Sequence, residues 1–301
     1  MTTIWDPNQY WEKAQLYASR SAEDGREEWE RPFWSVLALE LLARAALCNI
    51  HPVLNADPQD EFNIFYAVGL DIKKHPRSIP IHSVLARLER FLPEFTKPLR
   101  EFCDFFVMVR NREFHTSEIA FEGLAEAEWL PRYYKTCQTL CNSLGSKLDD
   151  LFGSDEAATA LKLIGALESG RMAAVKKQIA AHRATFGAKP DDERQALKKE
   201  QEVVSKTWRT PDTAVQCPSC GSLAKLGGDL EKVSEPQYRE GELLVEETYL
   251  ASRLECGACG LVLKDIDELH QTGIDPHFTW VRSTDLHAYY DPEYYEEYNN
   301  M

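Results

Sequence analysis

The sequence predicts a mainly α fold: an antiparallel bundle of helices, a helical connector and a small β-rich region built on a metal site. Three observations carry this. Apolar residues recur at three- and four-residue intervals through much of the first half. Residues 154–208 are rich in Ala, Lys, Glu and Gln and poor in aromatics. Two C-x-x-C pairs sit in turn- and strand-like text after residue 210.

The chain has 301 residues, 44% of them apolar, enough for one large or two ordinary domains with cores of their own. The first helical text, residues 32–47 (PFWSVLALELLARAAL), has a broad apolar face with Glu40 and Arg44 on one side. It stops at Asn49-Ile50-His51-Pro52, because Pro disfavours helix in the residue before it. Residues 55–60 form a loop and 61–70 a short apolar stretch. The basic loop KKHPRSIP then leads into a helix over 81–92. Further helices are expected over 94–110 and 129–152. Four helices in so short a span, with little strand signal, point to a bundle.

The connector, residues 154–208, is punctuated at Gly170 and at 187–190 into three expected helices. Between Arg171 and Lys206 it carries nine Lys/Arg against five Asp/Glu, inside a chain of net charge −15. It is either a helical spacer with a solvated face or an electrostatic patch for a polyanion. Residues 222–233 and 242–255 alternate like strands, with Gly227-Gly228 marking a turn. From Asp285 the chain closes with five acids, five tyrosines and no Lys or Arg. That tail is either a plain acidic terminus or a nucleic-acid mimic covering a basic surface.

The acidic balance argues against a surface coated for non-specific nucleic-acid binding and leaves room for a local basic cleft. The apolar stretch 33–48 is interrupted by Glu40 and Arg44, and no leader-like segment opens the sequence. No membrane association is expected, and the expected location is cytoplasmic.

Cys217 and Cys220, then 35 residues, then Cys256 and Cys259 supply four thiolates, the tetrahedral donor set of a closed structural zinc site. Gly221, Gly257 and Gly260 supply the freedom that sharp knuckles need. This arrangement resembles a zinc ribbon with an enlarged hairpin, whose long insertion has room for strands of its own. Four cysteines leave no open coordination position, so the expected Zn²⁺ is structural. Cys137 and Cys141, four apart on one helix, read as core packing. His270, His277 and His287 read as loop residues.

A second grouping is Arg110-Asn111-Arg112-Glu113-Phe114-His115, after the apolar run FCDFFVMV. On a helix, Asn111 and His115 lie about 40° apart and Arg110 about 140° from His115, within reach of a long guanidinium stem. A His acid/base, an Arg that clamps phosphate and an Asn that orients either partner meet the needs of metal-independent RNA cleavage by the 2′-OH. The plain alternative is a His that caps a helix end. Glu113 is expected to pair with Arg112 or Arg110, and Glu40 to lie at the edge of its apolar face.

Arg110-Asn111-x-x-x-His115 after an apolar helix, with ALELLARAAL and HPVLNADP upstream, resembles the HEPN superfamily over roughly residues 30–152. The resemblance implies an endoribonuclease whose site is completed across a homodimer. In it Arg110 would stabilise phosphate, Asn111 orient and His115 act as acid/base. It also implies roles in toxin–antitoxin or anti-phage defence, with a protein regulator or antitoxin as partner. The segments read as 1–152 HEPN-like bundle, 153–210 connector, 211–284 zinc ribbon and 285–301 tail. The other reading is a non-catalytic dimeric adaptor presenting the ribbon to a protein or nucleic acid.

Overall fold

The computed structural model describes residues 4–285 apart from 24, 26, 72, 210, 240, 241 and 265. The chain divides into two compact units, 1–168 and 169–301. The first is helical; the second joins helices to a small antiparallel sheet. The acidic tail beyond Asp285 lies outside the described residues.

The first unit opens with α1 (Pro7–Ser21). Asp6 accepts the backbone N–H of Asn8 at 2.8 Å and Pro7 sits in the first turn, a paired start signal for a helix. Its buried face is made of Ala14, Ala18 and Ser21, so it carries almost no apolar periodicity in the sequence. Against α2 (Glu30–Ile50), Tyr17 and Trp34 meet at 5.4 Å between ring centroids. Eleven residues of α2 are buried. By length and composition α2 could cross a membrane, yet 56% of its most apolar window is buried within the protein. It ends where His51 turns extended before Pro52, and the His51 ring accepts the N–H of Val53.

A 3-10 turn and α3 (Glu61–Ala67) lead to α4 (Ile81–Phe91) and α5 (Lys97–His115). Phe102, Cys103, Phe106, Val107 and Val109 form the buried face of α5. They pack with Leu39, Leu42, Leu88, Trp129, Tyr133 and Leu140 in the main core. The text expected as one helix over 129–152 is two, α6 (Glu126–Ser143) and α7 (Leu148–Phe152). Gly145, at φ +70°, ends the first, because a left-handed residue cannot continue the spiral. Arg31 ties three helices together, bonding Glu126, Tyr134 (3.1 Å) and Glu156 (2.8 Å).

The connector contains two helices rather than three, α8 (Ser154–Gly187) and α9 (Asp191–Ser205). Gly170 does not interrupt α8. One glycine costs a helix only about 1 kcal/mol, and the surrounding Ala, Leu and Lys supply strong propensity. Pro190 is what ends the run. The boundary between the two units falls inside α8, after Glu168.

The sheet comprises β1 (Thr213–Gln216), β2 (Leu223–Val233), β3 (Gln237–Arg239), β4 (Glu242–Glu255), β5 (Val262–Leu263) and β6 (His277–Asp285), with α10 (Ile266–His270) before the last strand. β4 is central. Residues 247–255 pair with β2 and 242–244 with β3, while β6 takes 242–250 and β5 takes 254–255. The insertion between the cysteine pairs therefore does carry its own strands. Gly227 and Gly228 lie inside β2 at a register shift rather than in a turn. A Cβ on Gly228 would stand 2.4 Å from the Leu250 carbonyl oxygen, so only glycine fits there.

Candidate functional site

At the cysteine centre, the two C-x-x-C pairs fold into knuckles with the same backbone wiring. The Cys217 N–H bonds the Ser222 carbonyl at 2.8 Å and the Gly221 N–H bonds the Cys217 carbonyl at 3.0 Å. In the second knuckle, Cys256 bonds Leu261 at 2.9 Å and Gly260 bonds Cys256 at 2.8 Å. Gly221 and Gly260 have φ +69° and +75°, a conformation that disfavours any side chain. Gly257 serves differently: a Cβ there would stand 2.6 Å from the Gln201 amide, so its role is close approach rather than a special φ.

The knuckles bring all four sulfurs within 4.8 Å of one another. Cys217 to Cys259 and Cys220 to Cys256 are each 3.6 Å, far beyond a disulfide. A regular tetrahedron with metal–sulfur bonds of about 2.3 Å has edges of about 3.8 Å. The four cysteines fit a tetrahedral metal ion, and four thiolates with no open position favour zinc. Hydrogen bonding with Cys217 and Cys256 lowers the Cys259 thiol, while hydrogen bonding with Cys217 and Cys259 raises that of Cys256. A bound cation would favour the thiolate form of all four.

The connector braces the knuckles. Arg183 donates from Nε to the Ser219 carbonyl (3.1 Å) and from Nη2 to the Pro218 carbonyl (2.7 Å). His182 Nδ1 lies 2.8 Å from the Cys259 carbonyl, Gln178 Nε2 donates to Val262 at 2.9 Å, and the Ser219 hydroxyl donates to Ile179 at 3.2 Å. Val175 and Phe186 of α8 pack in the apolar cluster that holds Cys217 and Cys256. Sequence reasoning missed these braces; the one signal was the concentration of basic residues over 171–206. His270 closes α10 and His277 begins β6, so neither is a loop residue, and among the described residues no histidine joins the sulfur cluster. His287 lies outside the described residues.

The α5 grouping occupies the last two turns of that helix. Asn111 and His115 are exposed. Arg110 is half-buried and donates from Nη2 to Glu40 Oε2 at 2.7 Å, while its Nε is buried without an acceptor. Glu40 also takes Arg44 at 3.4 Å, and Arg44 in turn holds Asn55 Oδ1 and the Ile79 carbonyl. Glu40, partly exposed, is the ion-pair partner of Arg110. Glu113 pairs with neither arginine; it accepts the backbone N–H groups of Ala120 (2.6 Å) and Phe121 (3.2 Å), fixing the chain after the helix. Arg112 pairs with Glu118. Phe105 and Met108 are exposed at 43% and 47%; round α5, Met108 lies about 20° from His115 and Phe105 about 80°.

The buried cysteines of the first unit differ in kind from the clustered four. Burial pushes the Cys48 and Cys141 thiols up to about 12 and those of Cys103 and Cys137 higher still. They are packing residues with little thiolate character. No protein-family model, curated protein or solved structure matches the chain.

Proposed function

We propose that the protein is a metal-independent endoribonuclease of HEPN type with one structural zinc per chain held by Cys217, Cys220, Cys256 and Cys259. The observation that carries this reading is the pairing of Arg110 with Glu40 beside exposed Asn111 and His115 on one helix end. A guanidinium anchored at one fork keeps other N–H groups for a phosphate, and an exposed imidazole near neutral pH is free to move a proton. His115 takes the proton of the attacking 2′-OH or returns one to the leaving 5′-oxygen, Arg110 stabilises the charge on the pentavalent phosphorus, and Asn111 orients either. A second copy completes the site: exposed Phe105 and Met108 flank it with apolar surface of the kind a two-fold partner covers. A toxin or anti-phage role, with a protein regulator, and a cytoplasmic location belong to the same proposal.

The test is cleavage of total RNA by the purified chain in chelator, beside His115→Ala, with the new ends assayed for 2′,3′-cyclic phosphate. Loss of a positioned acid/base lowers the rate by about 10²–10⁴-fold. Retention of cleavage by the variant refutes the assignment. The second reading, a non-catalytic adaptor, draws on the half-burial of Arg110 and its neutralisation by Glu40; it requires that wild type and variant be equally inert.

A further inference from the structure

The elbow between α8 and α9 borders an open cleft of about 220 Å³, lined by Arg183, Arg194, Lys198 and one carboxylate, Asp191, with Ser219 and Cys220 of the first knuckle. Three cations against one acid is an unusual local balance in a chain of net charge −15. The cations are differently committed. Arg183 is fixed by the two knuckle carbonyls through Nε and Nη2, leaving Nη1 without a hydrogen bond among the described residues. Arg194 reaches Asp191 from Nη2 at 2.9 Å, but its Nε is buried without an acceptor. Lys198 is half-buried and has no ion-pair partner among the described residues.

These cations have two possible employments. A zinc tetrathiolate carries two net negative charges, and Cys220 borders the cavity, so the three could serve as its counter-charges. Yet none of them donates to a cysteine sulfur among the described residues. What they share instead is a concave space, forks already held in place and an unsatisfied buried donor. Those are the attributes of an oxyanion pocket with tetrahedral preference. Lys199, Lys206 and Arg209 follow as exposed residues along and just beyond α9, among the exposed acids Glu200 and Glu202, so the cavity is the concentrated positive feature.

We infer that this cavity seats a backbone phosphate of a single-stranded nucleic acid. Arg183 and Arg194 supply planar N–H donors and Lys198 a point charge. Binding of this kind reads charge and not sequence, and it stands whether or not the α5 residues cleave RNA.

The experiment uses the full, zinc-loaded chain and a fluorescein-labelled 2′-O-methyl oligouridylate, which has no 2′-OH to attack. Anisotropy is followed from about 50 to about 200 mM salt, where phosphate contacts show as a slope of log affinity on log salt. Arg194→Gln combined with Lys198→Gln should weaken binding about tenfold at the lower salt and flatten the slope by about 0.7, the share of the one phosphate seated there. Inorganic phosphate should compete for the wild type. A control pair, Lys176→Gln with Lys177→Gln on α8, removes equal charge outside the cavity and should change affinity less than about twofold. Equal losses in both pairs, no loss in either, or phosphate binding to the cavity with no difference for the oligonucleotide would each overturn the inference. So would zinc content falling in the cavity variant, because the cations would then be counter-charges of the metal centre.

Discussion

Arg110 and Glu40, seventy residues apart, meet in a 2.7 Å ion pair that joins the end of α5 to the middle of α2. Both side chains are about one-fifth exposed, so the pair is worth more than a surface contact and less than a buried one. In a double-mutant cycle of Glu40→Gln and Arg110→Met, the coupling should be about 1 kcal/mol. Urea unfolding followed by tryptophan fluorescence measures it, since five of the seven tryptophans lie in the first unit. Strict additivity of the two variants would show that the pair is not formed in solution.

If a second copy covers the exposed side of α5, a charge placed there should separate the copies. Phe105→Glu is expected to raise the dimer dissociation constant by about a hundredfold, as for loss of an aromatic anchor worth about 2–3 kcal/mol. Light scattering of wild type and variant at matched concentration reads this directly. A wild type already monomeric at micromolar concentration ends the dimer proposal.

If the four sulfurs hold zinc, removing it should do more than unfold the sheet around them. Arg183, His182, Gln178 and Ser219 connect the knuckles to α8, so chelation or Cys217→Ser should also expose amides over 175–205 to exchange while the first unit stays protected. Hydrogen exchange by mass spectrometry, with elemental analysis for one zinc per chain, distinguishes this from local loss. Protection of 175–205 unchanged after metal removal would show that the helices stand without the knuckles.

Two kinds of glycine make opposite predictions. Gly228→Ala drives a methyl into the Leu250 carbonyl and should destabilise the sheet by about 2–3 kcal/mol. Gly165→Ala lies within α8 with open space around the new atom and should stabilise by about 0.5–1 kcal/mol. Thermal denaturation of both variants checks the pair of signs.

The buried thiols set an alkaline limit on the first unit. The Cys48 and Cys141 thiols titrate near 12 in the folded chain against 9.0 ordinarily, through burial first. A thiol whose folded pKa is raised contributes stability that is complete below pH 9 and is lost as pH rises from there towards 12. Helicity of the first unit should therefore begin to fail above pH 9, and Cys48→Ala should make its residual stability less pH-dependent in that window. Circular dichroism against pH tests it; a flat profile to pH 11 would contradict it.

The cysteine centre was legible because C-x-x-C pairs state their geometry in the letters: each pair is local, and a shared metal is the economical way to use four thiols. The long strands β2 and β4 between them were legible from alternation, but β3 lies where the sequence reads as a loop, and β6 was not read because HFTWVRSTD is recognised only by the β4 edge it completes. α1 escaped because its buried face is alanine and serine, which no hydrophobic period reports. The Glu40 pairing was hidden for another reason. A carboxylate in apolar text looks misplaced until a partner seventy residues on is brought beside it, and that is a property of tertiary packing. Likewise the carbonyls that Arg183 grips carry no sequence signature at all.

The matched wiring of the two knuckles bears on the order in which the second unit assembles. Each knuckle closes its hydrogen bonds within six residues, 217–222 and 256–261, so each forms early and without help from the other. Bringing them together is the slow part, because it requires β2 and β4 to find the register that sets Lys225 opposite Glu255. If the four sulfurs take a metal ion, its capture is expected last, onto sulfurs already aimed. Its rate at saturating zinc should follow the zipping of that hairpin and be indifferent to further zinc, with the ion holding closed a pairing that does not persist without it.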